Sequence, residues 1–543
     1  RKGPRARNMF VLDRCPWCGA QMGATLRQGR AGRYTVTGYA PRGDTVALSC
    51  PDRECAFVDA LPVYVVDEDI YSAKPALVIG TIDKFAMLAW RPDARALFGI
   101  DNNGDRSSTP PELIIQDELH LISGPLGSVA GMYEAVIEEL CTDFRTEPSK
   151  KPKIVCSTAT IRRYREQVRA LYARESVALF PPPGLDAEDS FFARYARGSD
   201  GRLLPGRIHV GVHAPGLGSL QTAQVRTMSA LYQASFDLPT DARDPWWTLL
   251  LFFNSLRELG TTRSLFQSDI PDYLRALAYR RGLAGARMRP LDVFSMELTG
   301  RLGGDEVPSA IRDLEVRHGG AHGDAVDVCF ATSIIEVGID VDRLSLLCIV
   351  GQPKTTSQYI QVSGRVGRSW WERPGLVVTI YSASKPRDRS HFEKFRSYHE
   401  RLYAQVEPTS VTPFSPPATE RVMHALIAVY ARQAFDQGLA RRPAPYRPDV
   451  LDLLSGILAR RIAIVAPDEA TNSESVLRRR AGEWDRWQRM VWQGAVNNQN
   501  PPQMTPAGSY VCGGWADRLW HTPMSMRNVD ASCEIDITQL YNL

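Results

Sequence analysis

The sequence has few cysteines and no long run of apolar residues. Ten cysteines are scattered over 543 residues, which is too few for a disulfide scaffold and fits a reducing compartment. No stretch reaches the roughly 20 consecutive apolar residues that a membrane-spanning helix needs, and no signal peptide is visible. We therefore expect a globular protein of the cytoplasm that has no contact with a membrane.

Charge of either sign is also not in large excess. The net charge is +4, and charged residues make up 23% of the chain. This mild positive balance permits nucleic-acid binding but does not argue for it, because a local groove matters more than the total charge. At about 100–200 residues per domain, the length predicts several domains.

Two cysteine pairs near the beginning of the sequence have the spacing of metal ligands. Two residues separate Cys15 from Cys18, and four separate Cys50 from Cys55. Four thiolates on two short turns are the ligand set of a structural Zn²⁺ ion. The longer second spacing leaves open the alternative of four unrelated free cysteines. We predict a zinc-binding element at about residues 14–58 that serves folding rather than chemistry.

The residues around Asp117 have the pattern of a nucleotide site. The apolar run Leu113–Ile115 predicts a buried strand, and Asp117, Glu118 and His120 follow it. In a parallel sheet, ligands bind beyond the carboxyl ends of the strands. Asp117 would then hold Mg²⁺, and Glu118 would polarise an attacking water as a general base. The alternative is an acidic turn after a core strand.

Further apolar runs also lead into polar residues. We expect strands at residues 76–79, 154–156, 247–253 and 328–331, each followed by glycine, hydroxyl or amide side chains. Arg365 and Arg368 are three residues apart, so on a helix they share one face and suit the charge on a transferring phosphate. A surface pair is the alternative for these arginines. The residues singled out in these segments are Gly80, Thr81, Ser157, Thr158, Ala159, Thr160, Asn254, Ser255, Thr332, Ser333, Gly338, Asp340, Gln361, Arg365 and Arg368.

Together and in this order, the segments resemble the superfamily 2 helicases. The resemblance implies ATP and Mg²⁺ in a cleft between two lobes and a nucleic acid across them. It implies that Gly80 and Thr81 grip the tracking strand, although an ordinary helix cap is the alternative there. It further implies strand contacts from residues 254–255 and 332–333 and coupling through residues 157–160. The catalytic residues would be Asp117, Glu118, His120, Gln361, Arg365 and Arg368. The nucleotide would be bound by Asp117, Gly338, Asp340, Arg365 and Arg368.

The predicted fold class is α/β, with two RecA-like parallel-sheet lobes and a mainly helical C-terminal region. Residues 1–165 would form a partial first lobe with the zinc-binding element, and residues 166–245 a connection or insert. Residues 246–386 would form the second lobe, and residues 387–543 the helical domain. Strands that alternate with helical segments favour this arrangement.

Three tracts resemble one helicase family more closely. They are Ile114–Glu134, Tyr398-His399 together with Val406–Pro408, and Ser525–Asp530, and they are similar to the DrmA family of the DISARM anti-phage defence system. This resemblance implies DNA, single-stranded or with a single-stranded end, and a DrmB-like partner protein. The YprA/MrfA-type DNA repair helicases are the close alternative. An RNA helicase is not separated by these motifs, because backbone contacts distinguish the sugars only through the 2′-hydroxyl.

One helicase element does not occur in these residues. The sequence contains no Gly-Lys-Thr or Gly-Lys-Ser, the end of the loop that cradles the β- and γ-phosphates. Because the chain opens on Arg1 and not on Met, we expect the loop to lie upstream in a longer protein. The alternative is a non-hydrolysing DNA-binding scaffold. Retention of Asp117, Glu118, Arg365 and Arg368 argues for hydrolysis.

Overall fold

The computed structural model describes residues 12–26, 34–43, 45–158, 163–182, 184–186, 189, 191–192, 194–282, 288–302, 306–320, 324–336, 340–407, 410–496, 501–509, 511 and 518–527. These residues divide into two compact units. We call Ala178–Glu407 the central unit, and the described parts of Phe10–Val177 and Pro408–Leu543 the flanking unit. In the described ranges, no helix combines the length and the apolarity that a membrane crossing requires.

The flanking unit begins with two small hairpins. Strand β1 (Gly23–Leu26) pairs antiparallel with β2 (Tyr34–Thr37), and β3 (Tyr39–Arg42) pairs antiparallel with β4 (Thr45–Leu48). Hairpins this short have little apolar surface of their own to bury. Their core is a small cluster that includes Met22, Leu48, Leu61 and three of the predicted zinc-ligand cysteines.

The predicted strand at residues 76–79 does not form. Helix α1 (Asp67–Ala73) is followed by an irregular segment up to α2 (Asp83–Ala86). Leu77, Val78 and Ile79 are exposed in that segment. A strand needs a neighbour that pairs with its backbone groups, and among the described residues no strand pairs with this segment. The predicted helix start after it is present.

Two parallel strands carry the first acidic segment. Strands β5 (Leu113–Gln116) and β6 (Lys153–Cys156) pair in register, with Ile115 opposite Val155. Helices α3 (Gly124–Cys141) and α4 (Tyr164–Tyr172) belong to the same part of the unit. Because side chains alternate along a strand, Ile114 and Ile154 pack on the core while Leu113 and Ile115 are exposed.

The central unit is built on a six-stranded parallel sheet. Its strands lie in the order β7-β12-β11-β8-β10-β9, and every pairing is parallel. The strands are β7 (Arg207–His213), β8 (Leu249–Phe253), β9 (Ser295–Leu298), β10 (Val328–Ala331), β11 (Leu346–Val350) and β12 (Gly375–Tyr381). Buried, continuous apolar strands such as β8 and β10 are typical of a parallel sheet covered on both faces.

Helices cover both faces of this sheet. They are α5 (Leu220–Asp237), α6 (Asp244–Trp247), α7 (Leu256–Gln267), α8 (Asp269–Arg281), α9 (Glu306–Glu315), α10 (Thr356–Ser363), α11 (Pro386–Glu393) and α12 (Phe395–Glu400). One core contains side chains of α9 and α10, and a second contains side chains of α5, α7 and α8. This confirms the α/β class.

The elements do not follow the predicted domain boundaries. Strand β7 is an edge strand of the central sheet, although its residues were placed in the connection at 166–245. Helices α11 and α12 also lie within the central unit, although the sequence predicted that the helical domain begins at residue 387. The pairing of β7 with β12 joins residues far apart in sequence, so local patterns do not reveal it.

The C-terminal region is mainly helical and packs on the first part of the flanking unit. Its helices are α13 (Pro416–Ala434), α14 (Gln437–Arg441), α15 (Pro448–Val465) and α16 (Ala470–Trp487), with short strands β13 (Met504–Pro506) and β14 (Trp520–Thr522). Helix α13 contacts α3, α15 and α16. Its residues share one hydrophobic core with Ile114 and Ile154, so the helical region supports the β5–β6 pair.

Candidate functional site

Asp117 and Ser157 are in direct contact. Asp117 directly follows β5, and Ser157 directly follows β6. Because the two strands are parallel, their carboxyl ends meet at one edge. The Ser157 hydroxyl donates a hydrogen bond to Asp117 Oδ1, and Leu119 N donates to the Ser157 carbonyl at 2.9 Å. The sequence predicted both positions separately, and the structure brings them together.

Glu118 occupies an unusual backbone conformation. Its φ is +50° and its ψ is 50°, a left-handed conformation that costs energy for a residue with a Cβ. Its backbone N–H donates to Asp117 Oδ1 at 2.9 Å, which helps to hold this turn. Its side chain is 34% exposed, and its Oε2 lies 3.4 Å from His120 Nδ1. The carboxylate is therefore held beside His120 and stays accessible to water.

His120 links the acidic turn to the segment after β6. Its ring is buried, and Nδ1 lies 3.2 Å from Thr158 Oγ1. Burial lowers the pKa of His120 below its usual range, although the carboxylates of Glu118 and Asp117 act in the opposite direction. A neutral imidazole at pH 7 can hydrogen-bond with a hydroxyl without a net charge. Of the coupling residues, Ala159 and Thr160 lie outside the described part of the chain.

Gln167 is a residue of this site that the sequence did not predict. It is buried on α4, and its Nε2 donates to the carbonyls of Leu119 and Ile122 at 3.0 and 2.9 Å. Both carbonyls belong to the turn that begins at Glu118. Gln167 therefore fixes the shape of the acidic turn. Nothing in the local pattern of α4 marks it, because its partners lie about one strand and one helix earlier in the sequence.

The central unit places two predicted strand-gripping pairs at one edge of its sheet. Asn254 and Ser255 follow β8, while Thr332 and Ser333 follow β10. Strands β8 and β10 are neighbours, so these pairs lie at adjacent carboxyl ends. We call this the carboxyl edge.

Three of these four residues already form hydrogen bonds within the unit. Ser255 caps α7 by accepting from Glu258 N at 3.3 Å. Asn254 Nδ2 donates to the carbonyls of Val350, Gly351 and Gln352 at 3.3–3.4 Å. Thr332 N donates to the Leu298 carbonyl at 3.2 Å. The side chain of Ser333 is exposed at this edge.

The predicted nucleotide-binding arginines lie at the opposite edge. Helix α10 leaves the carboxyl end of β11 and runs back along the sheet, and Gly367 N then donates to the carbonyl of Leu344, just before β11, at 2.9 Å. Arg365 and Arg368 therefore lie near the amino ends of the strands, where Arg368 forms an ion pair with Asp340. We call this the amino edge. Gly338 lies outside the described residues, and Gln361 is buried on α10.

Arg207 holds the turn that carries Arg365 and Arg368, and the sequence did not predict this role. It is the first residue of β7, and it donates to the carbonyls of Val366 and Gly364 at 3.0 and 3.1 Å. Burial lowers the pKa of its guanidinium. These bonds hold the glycine-rich turn that carries Arg365 and Arg368. The sequence distance between residue 207 and this turn explains why no local signal found it.

Gly80 and Thr81 lie in an exposed segment before α2. The adjacent Asp83 accepts hydrogen bonds from Ser525 Oγ at 2.6 Å and Met526 N at 3.1 Å, and Arg527 Nε lies 2.9 Å from its carboxylate. The segment that contains Thr81 is therefore connected through Asp83 to Ser525–Arg527, which belong to the last of the three tracts that resemble DrmA. Asp83 was not predicted as a site residue.

The four predicted zinc ligands lie together. The Sγ atoms of Cys15, Cys18, Cys50 and Cys55 are within 4.8 Å of one another. Four sulfurs about 2.3 Å from a zinc ion would be about 3.8 Å apart, so the donor set fits Zn²⁺. The Asp52 backbone N–H also donates to Cys50 Sγ at 3.4 Å, as suits a thiolate.

The chain is similar to known helicase proteins. Residues 295–369 match the helicase conserved C-terminal domain. A DISARM protein DrmA from Bacillus paralicheniformis is 37% identical over 507 residues, which are 87% of this chain and 43% of that protein. The chain thus spans less than half the length of this relative.

Solved structures are similar to the chain at low identity. A DUF1998 helicase MrfA bound to DNA and AMPPNP has a TM-score of 0.44 and 15% identity, over 72% of this chain and 46% of that chain. A Mycobacterium smegmatis helicase Lhr bound to ssDNA and AMP-PNP has a TM-score of 0.43 and 17% identity, over 71% of this chain and 43% of that chain.

Proposed function

We propose, from the match to the helicase conserved C-terminal domain and from the similarity to DrmA, that the chain is part of an ATP-dependent DNA motor of the superfamily 2 helicase type. The motor would couple ATP hydrolysis to movement on DNA or to its remodelling. The observation that carries this proposal is the contact of Asp117 with Ser157 beside the water-accessible carboxylate of Glu118. An acidic turn with only a structural role has no need of a water-accessible carboxylate held in a strained backbone conformation.

The acidic turn has the groups that phosphoanhydride hydrolysis requires. Bound ATP and Mg²⁺ would supply the scissile bond and the charge that polarises it. Asp117 is exposed at the strand end, and its carboxylate is of the ligand type that Mg²⁺ prefers. Glu118 would accept the proton of the attacking water as a general base. His120 and Thr158 would pass a change at this turn to the segment after β6.

The central unit would supply the remaining groups on its two edges. At the amino edge, Arg365 and Arg368 would place positive charge where negative charge develops on the γ-phosphate. At the carboxyl edge, Thr332 and Ser333 would hold phosphates of the DNA backbone. Gly80 and Thr81 of the flanking unit would hold phosphates of a DNA strand. This division gives one sheet a nucleotide edge and a nucleic-acid edge.

The cellular role that we propose is anti-phage defence in the bacterial cytoplasm. It follows from the similarity to a DISARM protein DrmA. The motor would act with a DrmB-like protein on DNA that is single-stranded or has a single-stranded end. The four cysteines would hold a structural zinc ion in the same unit as the acidic turn.

Glu118→Gln in the full-length protein tests this proposal. The amide keeps the size of the side chain but cannot accept the proton of water, so we expect hydrolysis to fall at least about 100-fold. Nucleotide affinity, measured with a fluorescent ATP analogue, should stay within about twofold because the charge of Asp117 is kept. Glu112→Gln is the matched control, since Glu112 is an exposed carboxylate that pairs with Lys150 on the same unit.

Normal turnover in the Glu118→Gln variant would contradict the general-base role of Glu118. If the unchanged full-length protein binds DNA but does not hydrolyse ATP, the second candidate function applies. The protein would then be a DNA-binding scaffold of a defence complex.

A further inference from the structure

Helix α10 connects the two edges of the central sheet. Its first residue, Thr356, lies near the carboxyl edge, and its last, Ser363, precedes the turn of Arg365 at the amino edge. At 1.5 Å per residue, its eight residues span about 12 Å. A rigid helix of this length can transmit a displacement of one end to the other. Whatever holds the Thr356 end therefore bears on the position of the arginines.

The Thr356 end is held by one carboxylate. Thr356 N donates to Glu407 Oε1 and Oε2 at 3.0 and 2.9 Å. The Thr356 hydroxyl donates to Glu407 Oε1 at 3.1 Å. A carboxylate at this position satisfies the Thr356 N–H, which the helix leaves unpaired, and lies at the positive end of the helix dipole.

Glu407 is also the last residue of the central unit. The chain passes from that unit back to the flanking unit between Glu407 and Pro408. Val406, the preceding residue, is buried. Glu407 therefore joins the start of α10 to the end of the central unit's chain.

The same helix end is connected to the carboxyl edge by a chain of hydrogen bonds. Tyr398 OH donates to the Thr356 hydroxyl at 3.2 Å, and Gln352 Nε2 donates to Tyr398 OH at 3.2 Å. The Gln352 carbonyl in turn accepts from Asn254 at 3.4 Å. Asn254 follows β8 at the edge where we place the DNA. The contacts thus lead from that edge to the Thr356 end.

We infer that Glu407 is a positioning residue that couples DNA binding at the carboxyl edge to the arginines at the amino edge. Its carboxylate holds α10 in one orientation, and that orientation determines the positions of Arg365 and Arg368. Glu407 touches neither the nucleotide nor the DNA in this account. The inference rests on the proposed function, because it assigns a regulating contact to the same site.

The first test compares steady-state hydrolysis by Glu407→Gln, Glu407→Asp and the unchanged full-length protein. The glutamine keeps one acceptor oxygen but loses the charge and the second acceptor. We expect the DNA-stimulated kcat to fall about 10-fold with the KM for ATP within twofold, and the aspartate to restore part of the loss. Glu393→Gln is the control, since Glu393 is an exposed carboxylate of the same unit that pairs with Arg389. An unchanged kcat in Glu407→Gln would overturn the inference.

The second test does not depend on hydrolysis. Amide hydrogen exchange is measured on residues 352–368 with and without a single-stranded DNA oligonucleotide. We expect DNA to change exchange at residues 361–368 in the unchanged protein and to change it much less in Glu407→Gln. Equal responses in both proteins, or no response in either, would overturn the inference. Absence of ATP hydrolysis in the unchanged protein would instead contradict the proposed function alone.

Discussion

Single side chains from distant segments hold the acidic turn in its shape. Asp117 alone accepts hydrogen bonds from the Ser157 hydroxyl and from Glu118 N, and Gln167 binds two carbonyls of the same turn. The left-handed conformation of Glu118 persists because these bonds over-determine it. The position of Glu118 therefore depends on hydrogen bonds that its neighbours form.

Gln167→Leu should weaken the flanking unit at this turn. Leucine is similar in size but leaves the buried carbonyls of Leu119 and Ile122 without their donor, which costs about 1–3 kcal/mol of unfolding free energy. Urea unfolding of the full-length protein measures this loss. Arg169→Ala on the same helix is exposed and should change the free energy by less than about 0.5 kcal/mol. Equal effects of the two substitutions would contradict the role of Gln167.

Residues of the site were predictable where the signal was local. Asp117, Glu118 and His120 follow an apolar run, so a local sequence pattern was enough to select them as candidate site residues. Gln167, Arg207 and Glu407 were not singled out as site residues, because each acts on a segment more than 40 residues away in sequence. Only the tertiary fold brings these partners together.

Whole elements explain where the predicted motifs lie. The strand ends after β5, β6, β8 and β10 lie where the apolar runs predicted them. Arg365 and Arg368 lie at the amino edge, because α10 runs back along the sheet before their turn begins. At residues 76–79 the structure has an irregular segment where the sequence predicted a strand. Its apolar composition favours a strand, but pairing decides whether one forms.

The zinc-binding element should depend on its metal. We expect one Zn²⁺ per chain by elemental analysis and its loss in Cys50→Ser, because a structural site needs all four thiolates. The hairpins at residues 23–48 should then become susceptible to limited proteolysis, as should those of the metal-chelated protein. Cys141→Ala, at a buried cysteine outside the cluster, should retain the metal. Full zinc content in Cys50→Ser would contradict the assignment.

At the scale of the whole molecule, the chain forms two units, and the flanking unit is assembled from two separate stretches. The helical C-terminal region shares a core with β5 and β6, so it supports the acidic turn although about 250 residues separate Cys156 from Pro408. Sequence alone predicted the helical character of this region but not this packing. The fold class followed from the alternation of strands and helices, whereas the boundaries depend on the distant pairing of β7 with β12.

The most direct test of the motor is ATP hydrolysis by the full-length protein, measured alone and with single-stranded DNA, duplex DNA or RNA. We predict that DNA stimulates hydrolysis at least about 10-fold and that RNA has little effect. Strong stimulation by RNA would contradict the choice of DNA as substrate. An absence of hydrolysis under every condition, with DNA binding intact, would contradict the motor itself.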